Sequence, residues 1–220
     1  MILHLVTDRR RLTSDRLDRP ADSDRDSLAE RCAWAIAAGV DVIQVRERDL
    51  EAAALCHLVQ RIVRAACGSA TKVVVNDRLD VALAAGADGV HLPARGLPVA
   101  AVRGTVPRGF LVGRSVHDAR ELADAAGADY VIAGTVWPTP SKPGGHPCLG
   151  PDGLRALRRQ ATMPVLAIGG VTGERLPVVR EAGVAGVAAI GLFTAPADSS
   201  AMALAVSAMR TWFDTPGTAS

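Results

Sequence analysis

The sequence predicts a single-domain (β/α)8 TIM barrel. Three observations carry that prediction. Eight short segments rich in Val and Ile are apolar nearly throughout, as strands buried on both faces are. Helix-length stretches of Ala, Leu, Arg and Glu separate them. One phrase recurs where helix gives way to strand: Ala38-Gly39-Val40-Asp41, Ala85-Gly86-Ala87-Asp88, Ala126-Gly127-Ala128-Asp129 and Ala182-Gly183-Val184-Ala185. A glycine there can take the left-handed conformation that ends a helix, with a strand two or three residues later. Repeated joints of this kind mean repeated βα units with right-handed crossovers. An open doubly wound sheet would want a G-x-G-x-x-G at the start of the first helix, and none follows the first strand.

Length and composition agree. The chain has 220 residues, and 49% of them are apolar but only 3% aromatic, so the core is built from Val, Leu, Ile and Ala. At roughly 27 residues per unit this is a compact barrel, near the low end for the fold. It is expected to span residues 1–214, with 215–220 a disordered C-terminal tail. A net charge of +2 argues against nucleic-acid binding. Four cysteines with no C-x-x-C pair read as reduced thiols. No signal peptide or membrane-spanning run is apparent, so the expectation is a soluble, cytoplasmic protein with no membrane partner.

The strands follow in order. The first is Ile2–Val6, and Arg9–Ser27 after it reads as a solvated loop leading into the first helix, because acids and bases interleave there. The second is Asp41–Val45. It runs out as Gln44-Val45-Arg46-Glu47-Arg48, so Gln44, Arg46 and Arg48 share one face. Two guanidiniums and an amide suit a pyrophosphate or other polyanion; a barrel-interior salt-bridge layer is the structural alternative. The helix after it is expected to pack through Leu50, Ala53, Ala54, His57, Leu58 and Ile62. Strand three, Lys72–Val75, delivers Asn76 and Asp77, the latter either a Mg²⁺ ligand or a helix N-cap. Gly89–Leu92 carries His91 and leads to Arg95-Gly96.

Strand five, Phe110–Gly113, leads to Ser115, placed for a phosphate or as an N-cap, and to His117, which reads as a surface residue. Asp129–Ala133 opens into Thr135–Gly150, sixteen residues without periodicity. A loop of that length in a compact domain is usually functional, the alternative being simple mobility. Its Thr139, Ser141 and Lys142 offer two hydroxyls and an ammonium to a phosphate-rich ligand. Strands seven, Pro164–Ile168, and eight, Gly186–Ile190, end at Gly169-Gly170 and at Ile190-Gly191, where backbone N–H groups can approach an anion. Two anion sites at one mouth suit a reaction that joins two phosphorylated small molecules.

These segments resemble the thiamine-phosphate synthase and TenI superfamily. The likeness lies in Gln44–Arg48, Val75–Leu83, Gly113–His117, Gly134–Lys142 and Ala167–Thr172, nearly the whole domain. It implies a transferase of thiamine biosynthesis. Hydroxymethylpyrimidine pyrophosphate and thiazole phosphate would be joined to thiamine phosphate, with Mg²⁺ and loss of pyrophosphate. It also implies roles. Gln44, Arg46 and Asn76 hold the pyrimidine pyrophosphate, and Arg48 stands where synthases have lysine. Asp77 is a Mg²⁺ ligand, and Ser115 lies by the leaving group. Thr139, Ser141 and Lys142 grip pyrophosphate and thiazole. Gly169, Gly170, Ile190 and Gly191 cradle the thiazole phosphate. Arg46, Ser115 and Lys142 are the implied catalytic residues. Two departures stand out. Gly96 occupies the position of a second metal carboxylate, with Arg95 next to it as a substitute source of positive charge. Thr135 occupies the position of the TenI tautomerase histidine. A TenI-like thiazole tautomerase and a non-catalytic binder of a thiamine intermediate are the alternatives, and a homo-oligomer is compatible with either branch.

Overall fold

The computed structural model describes residues 1–12, 21–139 and 147–214. Eight parallel strands close into a barrel in sequence order. They are β1 (Ile2–Val6), β2 (Val42–Val45), β3 (Lys72–Asn76), β4 (Gly89–Leu92), β5 (Leu111–Val116), β6 (Tyr130–Gly134), β7 (Val165–Ile168) and β8 (Gly186–Ala189). Around them run α1 (Ala21–Ala37), α2 (Ala52–Ala66), α3 (Leu79–Ala84), α4 (Val99–Arg103), α5 (Ala119–Ala123), α6 (Gly150–Gln160), α7 (Leu176–Glu181), α8 (Gly191–Thr194) and α9 (Ser199–Asp214). The expected (β/α)8 architecture is therefore present. None of the four cysteines is in a disulfide. Among the described residues no helix is long and apolar enough to cross a membrane. The tail 215–220 lies outside the described residues.

The recurring phrase does two jobs. Gly39, Gly86, Gly127 and Gly183 all take positive φ, between 69° and 85°, which stops each helix. The aspartate two residues on stitches the barrel floor. Asp41, Asp88 and Asp129 each accept a hydrogen bond from a backbone N–H at the start of the preceding strand, from Leu3 (2.7 Å), Val73 (2.8 Å) and Val112 (2.7 Å). Each also meets a cation: Arg210, Lys72 and Arg103 respectively. The fourth copy has Ala185 instead, whose own backbone N–H bonds the Val165 carbonyl and so joins β8 to β7.

Three local expectations need correcting. The polar stretch from Arg9 is not all loop: Arg9–Arg11 form a 3-10 turn and α1 already begins at Ala21. Its charges do not prevent helix, because only one side of α1 faces the barrel, through Leu28, Cys32 and Ala35. The buried face of α2 is Leu55, Leu58, Val59, Ile62 and Ala66, whereas Ala53 and His57 are exposed. Strand β5 runs on to Val116, so Arg114 and Ser115 are strand residues rather than loop residues.

The outer layer, between strands and helices, is the large apolar core. The barrel axis is filled separately by Val6, Tyr130, Ile132, Leu166 and Ala188. Tyr130 lies across the axis because Gly113 makes room: a Cβ on Gly113 would sit 2.2 Å from Tyr130 Cζ. Gly113→Ala should therefore lower unfolding free energy by about 1–3 kcal/mol through overpacking. Urea denaturation checks this, and the loss should shrink when Tyr130 is also replaced by Leu.

Candidate active site

The closed register brings all eight strand C-termini to one mouth, so residues far apart in sequence become neighbours there. Under the mouth lies a chain of polar side chains. His4 of β1 donates from Nε2 to Gln44 Oε1 of β2 (3.0 Å), and Gln44 Nε2 donates to Asn76 Oδ1 of β3 (3.0 Å). This leaves the Asn76 amide N–H groups free to donate toward the mouth. A second pair joins His91 Nε2 of β4 to Ser115 Oγ of β5 (2.8 Å). The rings of His4, His91 and Tyr130 meet at centroid distances of 5.5 to 6.3 Å. Burial lowers His4 from the ordinary 6.5 to about 4, against the Gln44 hydrogen bond that raises it. Burial also drives His91 well below its usual value, helped by His4, Arg114 and Arg46. Both imidazoles are neutral at pH 7 and act as fixed dipoles.

The sequence-predicted rim residues fall as follows. Gln44 is buried and occupied by its two amide bonds. Arg46 is half-buried, and among the described residues its guanidinium has neither hydrogen bond nor ion pair. Burial and the neighbouring Arg48 lower its pKa, though it stays cationic. Arg48 is exposed. Among the described residues neither Arg46 nor Arg48 is in an ion pair, so they form no barrel-interior salt-bridge layer; the ion pairs here run through Glu47, just past β2. The Glu47 carboxylate accepts from Thr7 Oγ1 (2.6 Å) and from Arg9 (2.9 Å), and Arg9 also pairs with Asp49 (2.6 Å). Burial pushes Glu47 up, against these bonds that hold it down. Thr7 Oγ1 in turn accepts from the Arg46 backbone N–H (2.9 Å), so Glu47 fixes the strand segment that carries Arg46.

Asp77 is exposed, with φ 65°, and precedes α3 without capping it; the N-cap residue is Arg78. Among the described residues no three His, Cys, Asp or Glu side chains gather to hold a metal. Position 96 faces Asp77: a Cβ there would lie 3.3 Å from Asp77 Oδ1, but the residue is glycine. The donors present thus fit a divalent cation through one carboxylate, completed by oxygens of a ligand, which is a usual way to hold Mg²⁺.

Gly169 and Gly170 carry φ of 96° and 64° and lie against the start of the β6 loop. Trp137 N–H bonds the Gly169 carbonyl (3.0 Å), and a Cβ on Gly170 would stand 2.7 Å from Trp137 Cβ. Arg175 donates to the Gly170 carbonyl (2.5 Å) and stacks over Trp137 at 5.0 Å. Ile190 packs on the axial cluster, and Gly191, exposed, opens α8. Thr139 is half-buried. Ser141 and Lys142 lie outside the described residues. His4, Glu47 and Tyr130, all buried, join the site without having a motif to mark them. A histidine in the middle of an apolar strand was the available signal for His4.

Comparison with known proteins agrees with this layout. The family described as thiamine monophosphate synthase matches residues 17–193, and the chain belongs to it. A thiamine-phosphate synthase of Methanoregula boonei is 41% identical over 80% of this chain and 83% of its own length. That of Mycolicibacterium smegmatis is 39% identical over 91% of this chain and 88% of its own. The solved thiamine phosphate pyrophosphorylase of Pyrococcus furiosus superposes with a TM-score of 0.79 at 28% identity, covering 97% of this chain and 95% of that one.

The buried imidazoles set a pH dependence. Both have folded-state values below the ordinary 6.5, so the unfolded chain takes up more protons as acid is added. Stability is full above about pH 6.5 and falls as the pH drops toward 4, by an order of a few kcal/mol. Urea unfolding midpoints at pH 7.5, 6 and 5 should decline in that order. His4→Asn should flatten the slope.

Proposed function

We propose that this member of the thiamine monophosphate synthase family joins hydroxymethylpyrimidine pyrophosphate to thiazole phosphate, giving thiamine phosphate and pyrophosphate. One observation carries the reading: a half-buried Arg46 without a partner among the described residues follows the C-terminal end of β2, on the same barrel rim as the Gln44–Asn76 amide pair and the His91-supported Ser115 hydroxyl. The bond between the pyrimidine methylene carbon and a pyrophosphate oxygen breaks, and its electron pair leaves with the pyrophosphate. The thiazole nitrogen donates its lone pair to the same carbon. Negative charge builds on the departing oxygens, and preorganised cations and donors are worth most where charge develops.

Arg46 and Arg48 supply cations, Asn76 supplies amide N–H groups and Ser115 a hydroxyl. Gln44, held between His4 and Asn76, fixes which way Asn76 points. Lys142, Thr139 and Ser141 of the β6 loop grip the pyrophosphate and thiazole parts. Gly169, Gly170, Ile190 and Gly191 take the thiazole phosphate. Asp77 would hold Mg²⁺, which would supply further positive charge to the departing pyrophosphate. Phosphorylated substrates of this kind suit a cytoplasmic setting.

The tautomerase alternative is not favoured. The residue after β6 is a buried threonine, Thr135; His91 is engaged by Ser115, and His117 is exposed and paired with Glu121 (2.8 Å). Purified protein given both substrates and Mg²⁺ should release pyrophosphate and form thiamine phosphate. Absence of turnover across a Mg²⁺ titration would count against the assignment. Arg46→Ala should lower kcat/KM by about 10²-fold in the same assay.

A further inference from the structure

We infer that the Arg95–Gly96 turn is an additional anion-binding element, in which the Arg95 guanidinium supplies charge that a second metal carboxylate would otherwise recruit as a cation. The inference rests on reading the mouth as a pyrophosphate site. It starts from Arg114. This buried arginine of β5 points away from the barrel axis and donates to the Leu97 carbonyl (2.5 Å) and to the Ala94 carbonyl (2.7 Å). Its two bonds bracket Arg95 and Gly96 in the chain. The Gly96 N–H closes the turn on the Pro93 carbonyl (2.9 Å). The segment after β4 is therefore rigid and held from below, unlike an ordinary surface loop.

The turn has a defined neighbour. Gly96 stands so close to Asp77 that a Cβ would be 3.3 Å from Oδ1. A carboxylate built on that atom would pair with Asp77 and attract a cation. Glycine removes that negative charge, and the adjoining Arg95 adds a positive one. Arg95 is exposed, and among the described residues it makes no hydrogen bond or ion pair. With Arg46 and Arg48 it gives the rim three guanidiniums without partners among the described residues, while the carboxylates that act on Arg46, Asp8 and Glu47, are themselves paired with Arg11 and Arg9. A rim of that sign can bind a polyanion directly, because guanidiniums match phosphate oxygens bidentately. Arg114 acts as a positioning residue, with its charge spent on backbone carbonyls. The requirement for metal in anion binding is correspondingly weak in this chain.

The experiment is calorimetric binding of inorganic pyrophosphate to the full chain, in EDTA and in Mg²⁺. The native protein should bind pyrophosphate in EDTA, with only a few-fold change on adding Mg²⁺. Arg95→Ala should weaken binding in EDTA by about tenfold or more, and Arg95→Lys by less. Gly96→Asp, compared with Gly96→Ala as the steric control, should weaken binding in EDTA and create a cation site, read by Mn²⁺ resonance without pyrophosphate. Pyrophosphate binding that needs Mg²⁺ absolutely, or equal affinities of native and Arg95→Ala protein in EDTA, would overturn the inference. Product formation is assayed separately. Metal-independent pyrophosphate binding without coupling would refute the synthase reading and leave this one standing. Mg²⁺-dependent coupling untouched by Arg95→Ala would do the reverse.

Discussion

A closed barrel has no route by which water can satisfy polar groups on its axis, and this constraint organises the protein. Polar side chains pointing inward depend on partners from other strands, and among the described residues His4 Nδ1, His91 Nδ1 and the Tyr130 hydroxyl, all buried, have none. His4 through Nε2, Gln44 and Asn76 find theirs in sequence across β1, β2 and β3. His91 through Nε2 and Ser115 find theirs across β4 and β5. Because each bond fixes the donor or acceptor face of the next group, the buried end of the chain determines what the exposed end offers. Asn76, with its oxygen accepting from Gln44, keeps its N–H groups as donors. Burial also keeps the two imidazoles neutral, so the positive charge at the mouth resides in guanidiniums near its opening.

The same economy governs the strand tips. Buried charges serve to hold backbone in place: Glu47 anchors Thr7 and Arg9 and through Thr7 fixes the amide of Arg46, while Arg114 holds the turn carrying Arg95. The charges left without partners among the described residues, Arg46, Arg48 and Arg95, occur on segments that these anchors make rigid. Catalysis by electrostatic preorganisation requires this division between groups that position and groups that bind. At the opposite end, the Asp41, Asp88 and Asp129 carboxylates tie neighbouring strand starts together.

The barrel itself was legible in the residues, because helix-ending glycines and apolar strands are local properties that repeat. Alternation along β2 put Gln44 on a polar face, where it bonds His4 and Asn76, whereas Ser115 read as a residue beyond strand five and lies within β5. The packing face of α2 and the start of α1 were not legible, because their registers depend on which side the barrel presents. Nor was the purpose of the repeated aspartates, whose partners lie on the preceding strand, 15 to 38 residues away. His4 and Tyr130 read as strand residues until closure put them in ring contact with His91 on the axis. Composition and period thus determined the fold and the chemical character of the rim by themselves. Only tertiary closure decided which charges are anchored and which are left to meet a ligand, because that depends on distances between strands that no single segment encodes.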